Sequence, residues 1–404
     1  QFKDGDINIA EGYSMKSTGR TPQNFTFIGT PNDGTISKTI TANRSALLGN
    51  PYPSVLDADL FIADNIGTID GTLYFWEHTG ESTTTSSVEG HGRFGYLGGY
   101  AQRNIAMGVA ASSVTVGTAG IGNATKAPTQ YIAVGQGFYV SAPVNKGGVV
   151  IFKNSQRAGN TDNVMFKTGA KNKSKTIIPN FKIGFDYTNK NDLIIHRQLG
   201  INFKEGNSMS VYDNGYDSAI LDIQSTDVYW DFPEIENNLI IAGVGELSSG
   251  LQIPIGFAID SDEPVSISID ETNNIGDYAI RLVDLVTGQI FNLDSKIELH
   301  LDKGVYSDRF LLVLEDQISL AVDLITSRDE FYLYLDRSEN ALVFKNSNAH
   351  SIELYSISGK KVISWTGVSS EKEKVINVQG VMEGVYVVKV YDEFGVVSKK
   401  IIIY

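Results

Sequence analysis

The hydrophobic pattern of the chain has a period of two along most of its length. Short apolar segments include Tyr131-Ile132-Ala133-Val134, Val265-Ser266-Ile267-Ser268-Ile269 and Tyr332-Leu333-Tyr334-Leu335. They are rich in β-branched and aromatic residues and are bounded by Gly, Asn, Asp or Pro, which is typical of strands. No helical pattern of roughly 10–15 residues separates them. The sequence therefore predicts an all-β chain of tandem β-sandwich domains, jelly-roll or immunoglobulin-like.

One short helix is expected near residues 54–65. It follows Pro51-Tyr52-Pro53, with Ser54 placed to cap the first turn and Asp57 three residues further on. This arrangement is that of a capping box. The helix is predicted to end near Asn65.

Composition divides the chain into three predicted regions. Residues 1–160 alternate apolar runs with long loops of Gly, Ser and Thr. Residues 161–336 give a denser series of strands, expected to form a β-sandwich domain, and residues 337–404 hold a compact series of short strands. No fixed repeat of solenoid or propeller length is visible.

Charge and composition exclude several function classes. The 404-residue chain has 33 basic and 47 acidic side chains, a formal net charge of −14. Residues 338–404 hold eight Lys and seven acids, a net of +1, so the preceding region carries −15. This charge disfavours nucleic acid as a partner, because phosphate binding needs clustered Lys and Arg. Without Cys, the chain has no disulfide, thiolate metal site or Cys nucleophile.

No membrane-spanning segment is expected, since no apolar run approaches roughly 18 residues. Gln1 opens on polar sequence rather than on a signal peptide. The chain is therefore expected to be a soluble fragment or mature form.

The last strands carry the most specific pattern. Ile352 and Leu354 share one side of a strand, Ser358-Gly359 supply a tight turn, and Val362 begins the return strand, which predicts a hairpin.

In the next motif, Tyr386, Val388 and Val390 face one way and Lys389 the other, so one side of this strand is expected to be buried. The chain then ends on an apolar strand that follows the basic pair Lys399-Lys400.

In combination, these strands resemble the type A C-terminal sorting domain of type IX secretion cargo in Bacteroidota. The residues that carry the resemblance are Gly359, Lys360, Val362, Gly384, Tyr386, Val388, Val390, Lys399 and Lys400. Members of that family often open with an Asn-Pro pair, whereas this chain has Ser338-Glu339-Asn340 at the corresponding place.

The resemblance implies an immunoglobulin-like domain over residues 337–404 that acts as an outer-membrane export signal. The partners it implies are the type IX translocon, an outer-membrane shuttle barrel and a sortase that usually removes the domain. The expected location is secreted or cell-surface, after passage through the periplasm and the outer membrane.

The body also has a resemblance. Its segments include Gly49-Asn50-Pro51-Tyr52-Pro53-Ser54 and Gln136-Gly137-Phe138-Tyr139-Val140. They are similar to the segment that precedes such sorting domains in many large flavobacterial surface and secreted proteins. In those proteins the segment usually lies far from the N-terminus, so this chain is expected to be the C-terminal part of a longer polypeptide.

No catalytic residue is predicted. The five His are scattered without the i, i+4 spacing of a helical metal motif, and no Gly-x-Ser-x-Gly elbow is present. We therefore expect no enzyme activity in this chain, with any region upstream of Gln1 left open.

Clustered acids are candidate Ca²⁺ ligands, because Ca²⁺ takes several hard oxygen ligands. Asp260, Asp262 and Glu263 are the first choice, ahead of the acids near residues 4–6, 57–64 and 213–217. The alternative is that these acids are solvated turn residues. No other cofactor is expected.

Two further candidate sites concern sugars. Trp76 and Trp230, with Tyr52, Tyr74 and Phe75, are candidates for a carbohydrate-stacking surface, and the alternative is core packing, with Tyr74 and Trp76 inside if Phe75 lies outside. Ser218, in Asp217-Ser218-Ala219, resembles an O-glycosylation acceptor, although such triplets also occur by chance.

The sequence thus predicts a non-enzymatic, adhesin-like or structural cargo protein. The alternatives are an accessory C-terminal part of a larger secreted hydrolase, and a carbohydrate-binding module that recognises surface glycans.

Overall fold

The computed structural model describes residues 7–14, 28–81, 96–114, 126–159, 178–190, 192, 194–316, 332–336, 341–345, 351–356, 360–366, 373–382, 384–392 and 395–403. Within these ranges the chain is all-β, as predicted. Its regular structure there consists of strands, one α-helix (α1, Ala58–Asn65) and one 3-10 turn (Asn154–Gln156).

The first strands, apart from β7 (Ser113–Val114), build a five-stranded sheet and two smaller ones. They are β1 (Ile36–Ile40), β2 (Arg44–Gly49), β3 (Val55–Asp57), β4 (Leu73–Glu81), β5 (Tyr96–Arg103), β6 (Gly108–Val109), β7 (Ser113–Val114), β8 (Tyr131–Ile132), β9 (Gly137–Ala142), β10 (Gly148–Phe152) and β11 (Arg157–Ala158). The larger sheet has the order β2-β9-β4-β5-β6, while β1 pairs with β10, and β3 lies between β11 and β8. Helix α1 packs Phe61 against Phe138 and Phe152, with ring centroids 5.4 and 4.8 Å apart.

The next strands form one large sheet. They are β12 (Asn180–Thr188), β13 (Ile194–Phe203), β14 (Ser218–Ala219), β15 (Asp227–Trp230), β16 (Leu239–Val244), β17 (Leu251–Ile259), β18 (Val265–Asn273), β19 (Tyr278–Asp284), β20 (Ile290–Asn292), β21 (Ile297–Leu299) and β22 (Gly304–Asp316). The sheet order is β20-β19-β22-β17-β15-β16-β13-β12-β18-β21, with β14 on β16 and β7 on β13. Every residue of β16 is buried, as expected for an apolar strand that is covered on both faces.

Helix α1 begins later than predicted. Val55–Asp57 pair with β8 and β11, so the chain is still extended where the helix was expected to start. Asp57, and not Ser54, is the N-cap: its carboxylate accepts hydrogen bonds from the N–H groups two and three residues further on, at 2.9 and 3.2 Å. The end at Asn65 is as predicted.

The chain separates into two compact units, residues 1–282 with 291–316 and residues 283–290 with 317–404. The predicted boundary near residue 160 therefore lies inside the first unit. Strand β7, from the first predicted region, pairs with β13 of the second, with Ser113 opposite His196. We call residues 1–316 the body, which comprises the first unit and residues 283–290.

The last strands form a sandwich of two sheets. They are β23 (Tyr332–Asp336), β24 (Ala341–Lys345), β25 (Ser351–Ser356), β26 (Lys361–Thr366), β27 (Glu373–Asn377), β28 (Gly384–Asp392) and β29 (Gly395–Ile403). One sheet has the order β23-β24-β27 and the other β26-β25-β28-β29. Phe344 of the first sheet and Leu354 and Val388 of the second share one apolar core, so the sheets pack face to face. We call this unit the tail sandwich.

The tail sandwich starts earlier than residue 337. Strand β23 pairs antiparallel with β24 along its whole length, from Tyr332 opposite Lys345 to Asp336 opposite Ala341. Strand β23 therefore belongs to the tail rather than to the preceding region.

Candidate functional site

Strand β28 turns three of the predicted motif side chains into the core of the tail sandwich. Tyr386, Val388 and Val390 are 7%, 0% and 3% exposed. Lys389 lies on the opposite, outer face, because successive side chains of a strand alternate. The Tyr386 hydroxyl donates a hydrogen bond to the carbonyl of Met382, at 2.6 Å, so the buried phenol is satisfied. A partner cannot touch these three side chains while the domain is folded.

The predicted hairpin is present, with β25 and β26 antiparallel. Lys360 is exposed at the turn, and its carbonyl accepts a hydrogen bond from the Ser356 N–H at 2.9 Å. Val362 is also exposed, at the start of the return strand. Gly359 lies outside the described residues.

The remaining motif residues lie on β28 and β29. Gly384 opens β28 with a φ of 156°, a conformation that L side chains rarely adopt, which explains the glycine. Lys399 and Lys400 lie on β29, opposite Val388 and Val387 in the antiparallel register. Their side chains are outside the described part of the chain.

A polar network covers the outer face of β25, β26 and β28. We call it the outer-face cluster and define it as Glu353, Tyr355, Lys361, Lys389 and Tyr391. The Glu353 carboxylate accepts hydrogen bonds from the hydroxyls of Tyr355, at 2.6 Å, and Tyr391, at 2.8 Å, and it forms an ion pair with Lys361. The ammonium of Lys389 lies over the Tyr355 ring, 5.2 Å from its centroid.

The electrostatics of the outer-face cluster are fixed by these contacts. Hydrogen bonds from Lys361, Tyr355 and Tyr391 lower the pKa of Glu353 to about 2. The hydrogen bond that the Tyr391 hydroxyl donates to Glu353 raises the pKa of Tyr391 to about 12. Glu353 therefore stays ionised with its charge matched by Lys361, and Lys389 gives the face a positive excess. Such a face suits a partner that presents carboxylates or aromatic rings.

Two family models match the chain. One is described as "Domain of unknown function (DUF8693)" and covers residues 3–314; the other is described as "Secretion system C-terminal sorting domain" and covers residues 332–404. The chain belongs to the DUF8693 family and ends in a type IX sorting domain. No curated protein and no solved structure matches it.

The sorting domain confirms the predicted location of the protein. A DUF8693 body with this tail is exported through the outer membrane and is either secreted or held at the cell surface. Among the described residues, no helix is both long enough and apolar enough to cross a membrane.

In the DUF8693 body, the predicted calcium ligands lie in the turn between β17 and β18. Asp260, Asp262 and Glu263 are exposed there, and Asp262 forms an ion pair with Lys303 at 3.2 Å. Over the described part of the chain, no group of three or more His, Asp or Glu side chains is placed to hold a metal ion. Calcium binding stays a prediction. A melting temperature that a chelator leaves unchanged would contradict it.

The other acidic clusters have structural partners. Besides the helix cap at Asp57, Asp59 pairs with Arg103 at 2.5 Å and Asp64 pairs with Lys153 at 2.9 Å. The buried Asp217 carboxylate accepts backbone N–H bonds from Gly243, at 2.6 Å, and Asp213, at 2.7 Å. Residues 4–6 lie outside the described part.

Ser218 is not on the surface, contrary to its interpretation as a glycan acceptor. It is fully buried, and its hydroxyl oxygen accepts hydrogen bonds from the Thr72 hydroxyl, at 2.8 Å, and the Asn104 amide, at 3.3 Å. A glycan would have to displace these partners, so the folded body does not offer this hydroxyl for modification.

The aromatic candidates divide into buried and exposed residues. Trp230 is fully buried, and its indole N–H donates a hydrogen bond to the Gly200 carbonyl at 2.6 Å. It is a core residue and not a sugar-stacking one. Trp76 is 40% exposed and meets the ring of Tyr100 edge-on at 5.0 Å, and Tyr100 meets Tyr139 at 5.8 Å.

The expected alternation on β4 is not observed, because Tyr74 and Phe75 are both buried while Trp76 is exposed. Phe75 packs in the core with Leu73, while Trp76 is exposed at the position that core packing would have placed inside. Tyr74 is buried as well, and its hydroxyl is satisfied by donating to the Asp70 carboxylate at 2.7 Å.

A histidine is held between two aspartates on adjacent strands of the large sheet. His196 Nδ1 lies 2.7 Å from Asp186, and its Nε2 lies 3.0 Å from Asp270. Asp186 also pairs with Lys296 at 2.6 Å, and Asp270 accepts a hydrogen bond from Gln198 at 2.8 Å. Burial lowers the pKa of His196, but the bonds to both carboxylates outweigh burial and raise it to about 9. We call this arrangement the His196 clamp.

The neighbouring residue forms a second buried group of charges. Arg197 is fully buried, with its Nε 3.0 Å from Asp227 and its Nη1 2.9 Å from Asp222. The same Nη1 donates to the Ser112 hydroxyl at 2.8 Å. We call Arg197, Asp222 and Asp227 the Arg197 triad.

These groups were missed by the sequence analysis because their members come from different strands. Asp186 and His196 face each other across the β12–β13 hairpin, so a strand register would have paired them. Asp222, Asp227 and Asp270 are joined to them only by the tertiary fold, and the sequence carries no signal for that.

Proposed function

We propose that this chain is a non-enzymatic cargo of the type IX system, adhesin-like or structural in role, whose tail sandwich is recognised as a folded unit. The observation that carries the proposal is the burial of Tyr386, Val388 and Val390 in the tail core. Side chains in a core act on recognition through the fold that they specify. The export machinery then binds the outer surface of the tail.

The body supports a structural rather than a chemical role. Its His196 has both ring nitrogens engaged by carboxylates, and the Arg197 guanidinium is enclosed by carboxylates and a hydroxyl. A general base needs a free nitrogen lone pair within reach of a substrate proton. These two groups therefore favour cohesion of the body over catalysis.

The folded signal is tested by substitutions at Tyr386. Tyr386→Asp places a carboxyl group in the tail core at a cost of several kcal/mol. We expect the variant body to stay in the periplasm, whereas Tyr386→Phe, which keeps the ring, should reach the surface. Normal delivery of Tyr386→Asp with a protease-sensitive tail would contradict recognition of a folded unit.

The translocon, the shuttle and the sortase are the proposed partners of the tail. The outer-face cluster offers them Lys389 on a half-buried, tyrosine-rich face, which complements an acidic partner surface. Lys389→Glu should slow export, while Lys303→Glu, on the body, should not. Equal export of both variants would show that the export machinery does not contact the outer face.

A second candidate function, binding of surface glycans by the body, rests on Trp76, Tyr100 and Tyr139. The three rings follow one another on the outer face of β4, β5 and β9, and Trp76 is the most exposed. Flat rings cover the apolar faces of sugars. Binding on a glycan array should be lost in Trp76→Ala and kept in Val144→Ala, a control at another exposed apolar residue. If the Trp76→Ala variant still binds glycans, the proposed site is wrong.

A further inference from the structure

Three segments of the body meet after the C-terminal end of α1, where the Lys146 ammonium donates hydrogen bonds to the carbonyls of Ile66 and Ile69 and interacts with the charge of Asp70. Lys146 lies in the turn after β9, Asn214 in the long loop before β14, and Asp70 between α1 and β4. The Lys146 ammonium nitrogen lies 2.8 Å from Oδ1 of Asn214, although the two residues are 68 positions apart. Since a C=O bond is about 1.2 Å long, the Asn214 carbonyl carbon lies within about 4 Å of that nitrogen.

Backbone contacts hold the three segments in place. A Cβ added to Gly71 would lie 2.3 Å from the backbone N of Gly215, so the segment that carries Asp70 runs directly against the one that carries Asn214. Gly71 and Gly215 have φ angles of 89° and 84°, which only glycine adopts at little cost. The Lys146 nitrogen is also fixed by the carbonyl of Ile66 at 2.9 Å.

The surroundings favour uncharged forms of the acid and the amine. Burial raises the pKa of Asp70 to about 6, against the hydrogen bond from Tyr74. Burial lowers the pKa of Lys146, and the charge of Asp70 offsets this only in part. Transfer of a proton from the ammonium to the carboxylate therefore costs less here than in water, and it leaves a nucleophilic amine beside the amide.

We propose that Lys146 and Asn214 become joined by an intramolecular amide bond, with Asp70 as the acid–base partner. The Asp70 carboxylate takes a proton from the Lys146 ammonium, and the free amine attacks the Asn214 carbonyl carbon. The new C–N bond forms as the bond to Nδ2 breaks, and Nδ2 leaves with the protons released by Lys146. One ammonium ion is lost, no oxidant or co-reactant is needed, and Asp70 ends as it began.

Such a bond would do in this chain what a disulfide does in others. The chain has no Cys, yet its body is exported to the outside of the cell. A covalent link between residues 146 and 214 closes a loop and lowers the conformational entropy of the unfolded chain, which stabilises the folded state. It would also tie the turn after β9 to the loop before β14.

The first test is the mass of the purified full-length chain and a peptide map of it. Bond formation removes one ammonia, a loss of about 17 Da. Cyclisation of Gln1 and a succinimide at Asn214-Gly215 lose the same mass, so the map decides. We expect a branched peptide that joins Lys146 to Asn214, with no tryptic cleavage after Lys146. A linear peptide that ends at Lys146, recovered in full yield from folded protein, would overturn the proposal.

Matched variants assign the roles. Lys146→Arg keeps the positive charge but cannot form this amide, and Asp70→Asn keeps the shape but removes the acid–base partner; neither should give the branched peptide. Lys153→Arg should keep it, because Lys153 is engaged by Asp64 at 2.9 Å and not by an amide. A branched peptide in Asp70→Asn would overturn the role given to Asp70.

Discussion

Replacing Arg197 with Met tests whether the Arg197 triad holds the body together. Met keeps the apolar stem of the side chain but not the charged guanidinium, so the substitution leaves two carboxylates without their cation. Asp227 is fully buried and the side chain of Asp222 is 16% exposed, so water cannot replace the lost charge around Asp227.

The expected cost follows from this burial. Removing one partner of a buried ion pair destabilises a protein by about 3–5 kcal/mol. Two backbone N–H groups, from Gln224 at 2.9 Å and Val228 at 3.0 Å, still donate to Asp227, which favours the lower end of that range. In the native chain, burial already raises the pKa of Asp227 although Arg197 lowers it.

Without Arg197 the pKa of Asp227 in the folded state rises further above its value in the unfolded chain. A group with a raised pKa in the folded state stabilises it at low pH and loses that effect as the pH rises through the folded pKa. The destabilisation by Arg197→Met should therefore be largest at neutral pH and shrink as the pH falls.

Hydrogen exchange of the full-length chain measures the effect where it occurs. A loss of about 3 kcal/mol corresponds to roughly a hundredfold less protection of the amides in β13 and β15. The matched control is Arg281→Met, which removes a partly exposed ion pair with Glu315, worth about 1 kcal/mol or less. If exchange in Arg197→Met rises no more than in this control, the triad does not stabilise the body.

Two other predictions concern the body. The pKa of His196 is about 9 in the fold, above the ordinary value of about 6.5. The His196 clamp therefore adds about 3 kcal/mol to the free energy of unfolding below pH 6.5, and this stabilisation is lost as the pH rises through 9. Thermal unfolding between these values should show that fall in the native chain and not in His196→Asn; equal slopes would contradict it. Gly71→Ala, whose Cβ would meet the Gly215 backbone N at 2.3 Å, should lower the melting temperature more than Gly206→Ala, which has a similar φ of 92° and open space. Equal shifts would show that the close approach costs nothing beyond the left-handed backbone, about 1–3 kcal/mol.

The sequence was informative wherever one local period decides the structure. The period of two predicted the all-β class and the β25–β26 hairpin. It also predicted the inward face of β28, since Tyr386, Val388 and Val390 have one covered side. These features depend on neighbours along the chain or one hairpin away.

The errors have one physical cause, which is pairing between distant segments. The helix starts at Ala58 because Val55–Asp57 are drawn into a sheet with β8 and β11. Composition suggested a boundary near residue 160, but β7 from before it pairs with β13 from after it, a pairing that the local sequence does not signal.

Two placements in the body were misjudged for the same reason. Ser218 is buried where the fold brings it against Thr72 and Asn104, which lie more than a hundred positions away and donate to its hydroxyl. The alternation on β4 was misjudged because Tyr74 and Phe75 are both buried while Trp76, on the same side as Tyr74, is exposed, so burial along this strand does not follow a period of two.

Surface delivery of a chain cut before Tyr332 tests the export role of the tail most directly. In a cell with a type IX system, the full-length chain and the chain lacking residues 332–404 are compared by antibody labelling of intact cells and by the amount of body in the medium. We predict that the shortened body folds, resists mild proteolysis and stays in the periplasm. Equal amounts of both bodies at the surface or in the medium would contradict the assignment of the tail sandwich as the export signal.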